Sequence, residues 1–190
     1  MRLSQLPNLI TLSRLALVPV LILALKDRSY RLALVVFLVA GASDALDGWI
    51  AKRFGLTSRL GSILDPLADK ALLVSAHVML TILGHIPFWL MLTVAFRDLL
   101  IIGGYLVYTS MVGPVQMRPS LLSKFNTLMQ ISLVVVVLAQ WAALAYYPLL
   151  TEALIYGVLV TTVASGAHYL WIWGVMKEVE PATPRETPHE

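Results

Sequence analysis

Long apolar runs alternate with short polar breaks along this chain, and the breaks recur at helix-length intervals. The first run covers 8–25 and ends at Lys26, Asp27, Arg28 and Arg31. Further runs cover 32–51, 62–83, 88–111, 122–145 and 150–176. Between them lie a basic segment with Lys52, Arg53 and Arg59, a turn from Gly84 to Pro87, a loop from Gly113 to Pro119, and a break at Tyr146, Tyr147 and Pro148. Most runs reach the ~18 residues that mark a bilayer span. The pattern predicts an all-α integral membrane protein with six transmembrane helices in one domain, 1–176. The segment 177–190, with three prolines and mixed charge, is expected to be a disordered tail.

An even number of spans puts both termini on one side. That side carries Arg2, Lys52, Arg53, Arg59, Arg118, Lys177 and Arg185, against Lys26, Arg28 and Arg31 on the other. The bias predicts cytoplasmic termini. Composition agrees with a membrane protein: 58% of residues are hydrophobic and 13% charged, where a soluble domain has roughly 25% charged. The net charge of +3 comes without a basic, aromatic-interleaved stripe, which argues against nucleic acid as a partner. Absence of cysteine excludes disulfides, thiolate chemistry and cysteine-ligated zinc. Arg14 interrupts the first run and no small-residue cleavage site follows Leu25, so that run is expected to be a retained helix.

Four carboxylates break the pattern. Asp44 and Asp47 close the second run, and Asp65 and Asp69 open the third. Acids in transmembrane segments are expensive and mark function by default. At spacings of three and four residues each pair shares a helix face. Two such faces brought together form a cage of oxygens suited to a hard cation. Lys52, Arg53, Lys70, Arg97 and Arg14 could neutralise the acids in a purely structural network, but such a network has no need of Gly48 and Gly61, which let a bulky ligand approach the backbone. A divalent-cation carrier would also place acids between helices, yet it needs a path to both faces, and here the acids cluster at one end.

The run Asp44-x2-Asp47-Gly48-x2-Ala51-Lys52-x8-Gly61-x3-Asp65-x3-Asp69 resembles the signature of the CDP-alcohol phosphotransferase family, D-x2-D-G-x2-A-R-x8-G-x3-D-x3-D. The spacing is intact and one position departs: Lys52 stands where the family has arginine, with Arg53 next to it. Lysine keeps the charge but loses the planar fork. Asn8-x2-Thr11-x2-Arg14 is similar to the family's first-helix motif, and Arg97-Asp98 to an Arg-acid pair. The stretch from Pro119 to Gln130, with Ser123-Lys124-Phe125-Asn126-Thr127, resembles a segment of eukaryotic-type cardiolipin synthases.

The resemblance implies a CDP-diacylglycerol donor, an alcohol acceptor, Mg²⁺ or Mn²⁺ as two ions on Asp44, Asp47, Asp65 and Asp69, and Asp69 as general base. It also implies a homodimer. The expected location is a bacterial inner membrane, with the site facing the cytoplasm. Asn8, Thr11, Gly48, Ala51, Lys52, Arg53 and Gly61 are expected to hold the donor, and Arg97, Arg118, Lys124, Asn126 and Thr127 the acceptor. Related phosphatidylglycerophosphate synthases usually carry a second lysine where Asn126 stands. One positive charge fewer suits a monoanionic diester, phosphatidylglycerol, better than glycerol 3-phosphate. Ser123 and Gln130 read as helix–helix hydrogen bonds, and Asp98 as a partner that orients Arg97. His77 and His168 read as packing residues, and His85 as a solvated loop residue.

Overall fold

The computed structural model describes residues 6–54, 61–112, 120–144 and 146–175; side chains in 6–12, 44–54, 61–69, 111–112 and 172–175 and that of Tyr108 are outside the description. The described residues form six helices: α1 (Leu6–Lys26), α2 (Tyr30–Phe54), α3 (Gly61–Ile82), α4 (Phe88–Val112), α5 (Leu121–Trp141) and α6 (Pro148–Val175). All six predicted runs are helical. Three of them, over Phe88–Val107, Leu121–Trp141 and Pro148–Trp171, are long and apolar enough to cross a membrane. Much of the outer surface is apolar as well. Leu92, Phe96, Leu99 and Leu106 of α4 are all more than half exposed. A soluble fold would not leave so continuous a patch in water.

α1 packs on α2 and α3, α5 on α6 and α2, and α6 on α4, while the contacts of α3 with α2, α4 and α5 are thinner. The core is built from Leu21, Leu25, Leu80, Leu90, Leu133 and Leu138, all fully buried. The largest boundary difference is at α5, which stops at Trp141 where the apolar run predicts continuation to Ala145. The backbone explains it. Ala143 adopts the left-handed conformation, φ 58°. Its N–H returns to the Gln140 carbonyl at 3.2 Å, and that of Leu144 to Ala139 at 3.1 Å. These two bonds satisfy carbonyls that a helix end leaves open. α1 closes the same way through Arg28 (φ 55°), and α3 through Gly84 (φ 78°).

These three ends lie beside one another and are tied by aromatic rings. Tyr30 Oη and His85 Nε2 are 2.7 Å apart, and His85 stacks on Trp141 with ring centroids 3.9 Å apart. Arg31 Nε donates to the Ala142 carbonyl at 3.1 Å. The expectation that His85 is a solvated loop residue is therefore corrected: the turn after α3 folds it against α2 and α5. Partial burial, then the nearby Arg28 cation, lower its pKa below the usual histidine value.

Two tests follow from these ends. A left-handed alanine costs about 1–2 kcal/mol, and glycine escapes that cost while losing more entropy on folding. Ala143→Gly should therefore stabilise by about 0.5 kcal/mol, read as a higher unfolding midpoint in detergent. For His85, protonation is easier in the unfolded chain. Its contribution is present above roughly pH 6.5 and is lost as pH falls through the lower folded value. The midpoint should drop between pH 7.5 and 5 more in the parent than in His85→Gln; equal drops would show that His85 does not titrate in this range.

Candidate functional site

At the opposite end of the bundle α2 carries Asp44, Asp47, Gly48, Ala51, Lys52 and Arg53, while Gly61 is the first residue of α3 and Asp65 and Asp69 occupy its opening turns. Asn8 and Thr11 stand in the first two turns of α1. The backbone thus puts the whole motif on two consecutive helices that touch each other, α1 lying against both. The side chains of Asp44, Asp47, Asp65, Asp69, Asn8, Thr11, Ala51, Lys52 and Arg53 lie outside the described residues, and so does all of Arg118. Among the described residues no three acidic, histidine or cysteine side chains cluster as metal ligands. The fit of the four aspartates to a divalent ion rests on their chemistry: four anionic oxygen donors with no nitrogen or sulfur among them, the set that hard cations prefer.

One turn beyond the motif the side chains are described, and they centre on Arg97. It is 8% exposed, in the middle of α4. Its Nη1 donates to Asp98 Oδ1 at 2.9 Å, and its Nη2 to Ser123 Oγ and Ser165 Oγ, both at 2.6 Å. Nε completes the set, donating to Ser165 at 3.3 Å. The guanidinium therefore ties α4 to α5 and α6 through three hydroxyl contacts, and pairs with a carboxylate of its own helix. Asp98 accepts on its other oxygen from Lys70 of α3, at 3.1 Å. Asp98 does orient Arg97, as its place in the sequence suggests, and it also holds Lys70. Ser123 is a helix–helix hydrogen-bond partner as expected.

Local sequence places these groups. Ser120 is the N-cap of α5, its Oγ accepting from the Ser123 N–H at 3.1 Å. That cap fixes the register of α5, and with it Ser123, Lys124 and Thr127. Lys124 is exposed. Thr127 donates to the Ser123 carbonyl and lines a cavity of about 520 Å³ shared by α2, α3, α4 and α5. Lys70, Arg97 and Asp98 are charged residues of its wall, beside the polar His77 and Gln130; Phe37, Leu73, Val78 and Met91 are among its apolar part. Among the described lining residues two cations face one carboxylate.

Asn126 sits elsewhere. The sequence reading assigns it to the acceptor pocket, whereas the structure buries it fully in the seam between α5 and α6. Its Oδ1 accepts from Thr161 at 2.8 Å and from Thr162 at 3.0 Å. The register is responsible: Thr127 and Gln130 turn to the cavity, and Asn126 turns toward α6. A lysine at 126 would bury an ammonium there. Sequence reasoning also missed the cavity roles of Lys70 and His77. Position alone held a signal, since the two stand seven residues apart, on one face of α3.

A family model for CDP-alcohol phosphatidyltransferases matches residues 4–164. The chain belongs to the CDP-alcohol phosphatidyltransferase family. It is 33% identical over 179 residues to a cardiolipin synthase (CMP-forming)/mitochondrial hydrolase fusion protein of Schizosaccharomyces pombe, covering 86% of this chain and 30% of that protein. A cardiolipin synthase (CMP-forming) of Rattus norvegicus is 36% identical over 149 residues, 70% of this chain and 49% of the relative. A probable phosphatidylglycerophosphate synthase of Mycobacterium tuberculosis is 36% identical over 104 residues, 52% of this chain and 50% of the relative. The chain thus spans half or less of the length of these relatives.

Arg97→Lys tests the tie between helices. Lysine keeps the charge but cannot donate in a fork, and the hydroxyls of Ser123 and Ser165 lose shared donors. We expect a loss of about 2 kcal/mol of stability, seen as a lower unfolding midpoint. A midpoint equal to the parent's would show that the fork carries no load.

Proposed function

We propose that this chain is a CMP-forming phosphatidyltransferase that moves a phosphatidyl group from CDP-diacylglycerol to a hydroxyl of phosphatidylglycerol, giving cardiolipin. The observation that carries the reading is the family motif, seven of its eight fixed positions present at the right spacing, on two helices that touch. The two cardiolipin synthase relatives support the choice of acceptor. So do the apolar walls of the cavity, which suit a lipid. All six helices would span a membrane as one domain over 1–176, with both termini and the tail 177–190 in the cytoplasm, in a bacterial inner membrane and as a homodimer.

In this reading the acceptor oxygen attacks the phosphorus that bears diacylglycerol. The bond from that phosphorus to the bridging oxygen breaks, and CMP leaves with the electron pair. Asp69 takes the hydroxyl proton. Its side chain also belongs to the candidate cation cage, so placing the hydroxyl contributes more than basicity. Asp44, Asp47, Asp65 and Asp69 would hold two Mg²⁺ or Mn²⁺ ions, which when bound supply neutralisation of the pyrophosphate and of charge growing on CMP. Asn8, Thr11, Gly48, Ala51, Lys52, Arg53 and Gly61 would hold the donor. Lys70, Arg97, Arg118, Lys124 and Thr127 would set the acceptor side, with Lys70 now added and Asn126 removed to the helix seam. The alternative acceptor is glycerol 3-phosphate, favoured by the Mycobacterium tuberculosis relative.

An acceptor panel decides between them. With purified protein, CDP-diacylglycerol and Mg²⁺ or Mn²⁺, phosphatidylglycerol should release CMP and yield a product of cardiolipin mass. Turnover with glycerol 3-phosphate and none with phosphatidylglycerol would transfer the assignment to the alternative. Asp69→Asn should abolish CMP release while the unfolding midpoint stays near the parent's; a near-normal rate would remove Asp69 from its role.

A further inference from the structure

Three cations crowd the end of the bundle away from the aspartate motif. Lys26 closes α1, Arg28 stands in the turn that follows, and Arg31 is the second residue of α2. All three are exposed. Asp27 lies among them in sequence and Glu152 stands in the opening turns of α6, yet neither pairs with them: the ion pairs of the described residues are those of Asp98.

Arg31 is held in place. Its Nε donates to the Ala142 carbonyl at 3.1 Å, just past the end of α5. That bond fixes the guanidinium and leaves its two Nη groups without a hydrogen-bond partner among the described residues. Such a group still offers its pair of Nη donors end-on, and their spacing fits two oxygens of one phosphate. Arg28 is fixed through its backbone. It takes the left-handed conformation, and its N–H returns to the Leu25 carbonyl at 3.0 Å. Burial, and then the Arg28 charge, lower the pKa of His85, so Arg28 stands near that ring. His85 stacks on Trp141, the residue before Ala142. Both arginines therefore stand beside one aromatic stack.

The depth of this cluster narrows the anion that would complete it. The candidate spans of α4, α5 and α6 have ends at Phe88, Trp141 and Pro148. Ala142 directly follows one of these ends, and His85 precedes another by a short turn. Trp141, Tyr146 and Tyr147 are half exposed or more, as rings at headgroup depth are. With the termini in the cytoplasm, as proposed above, the three cations lie on the side where short loops are ordinarily poor in Lys and Arg, so orientation does not account for them. Phospholipid phosphates are the anions found at that depth, and they attract Lys and Arg near the surface. A choline headgroup brings a cation of its own to a place that already has three. A lipid whose phosphodiester is its only charge does not.

We propose that Arg28 and Arg31 form a binding site for the phosphodiester of an anionic phospholipid in the leaflet opposite the aspartate motif, with the glycerol region of the lipid against Trp141. Lys26 adds attraction without a fixed contact. The site lies outside the transferase machinery and does not rest on that reading.

The test places the purified full chain in phosphatidylcholine nanodiscs with rising fractions of phosphatidylethanol. This lipid has a monoanionic phosphodiester and no headgroup hydroxyl, so it cannot serve as an acceptor. The parent's unfolding midpoint should rise with the anionic fraction and saturate. Arg31→Gln should need about tenfold more phosphatidylethanol for half of the rise, and Arg31→Lys should fall between the two. Binding elsewhere, at the aspartate end included, is common to parent and variant and cancels in the comparison. Native mass spectrometry gives a readout apart from stability: the parent should retain one more phosphatidylethanol than Arg31→Gln does. Should Arg31→Gln not fold, Arg28→Gln leaves the bond to Ala142 intact and carries the same comparison. Equal half-saturation and equal retention in parent and variant would overturn the proposal. So would a midpoint that ignores phosphatidylethanol, or an equal rise with soluble diethyl phosphate, which would make the ligand a free phosphate.

Discussion

A guanidinium keeps its charge under all conditions a protein meets, so a helix bundle that encloses one has to arrange itself around it. Arg97 imposes that constraint here. Its donors draw Ser123 of α5 and Ser165 of α6 against α4, and its counter-ion Asp98 reaches Lys70 of α3. In a bundle whose outer face is apolar there is little to choose between one helix pairing and another on burial alone, because lipid tails are as apolar as leucine. Directed polar contacts settle the pairing instead. The same device appears in smaller form where Asn126 accepts from Thr161 and Thr162. α4, α5 and α6 are thereby locked into one unit, on which α3 rests through Lys70 and a few apolar contacts.

How much of this was legible beforehand depends on the range of the interaction concerned. The six helices were readable because an apolar run of helix length is a local property, and the motif was readable because its residues fall within one short stretch. Arg97 with Asp98 was readable as a pair for the same reason. The partners of Arg97 on α5 and α6 were only half visible: Ser123 stood out, while Ser165, in the sequence a serine among small residues, carries no mark of what it accepts. Asn126 was misplaced because one residue of register turns a side chain through about 100° on a helix, and nothing in a single sequence fixes which face of α5 meets α6. His85 was misjudged because turns look polar in sequence, whereas this one folds back onto Tyr30 and Trp141. The early end of α5 was hidden too, since alanine rarely takes the left-handed conformation that Ala143 adopts.

In the proposed reading the aspartate motif faces the pyrophosphate common to every donor of this type, and the choice among alcohols falls to groups beyond it on the same helices. Lys70 and Arg97, joined through Asp98 in the cavity wall, stand where such groups would be.

The aromatic clasp formed by Tyr30, His85 and Trp141 has a mechanical consequence. It binds the closing turns of α1, α3 and α5 at the end of the bundle farthest from the aspartates, where backbone bonds and stacked rings leave little play. α3 meets α4 and α5 only thinly and packs chiefly on α1. The clasp pins its last turn and α1 backs it from behind. The wall that α3 presents to the cavity is therefore positioned by α1 and by the turn at His85, and hardly at all by the helices across from it.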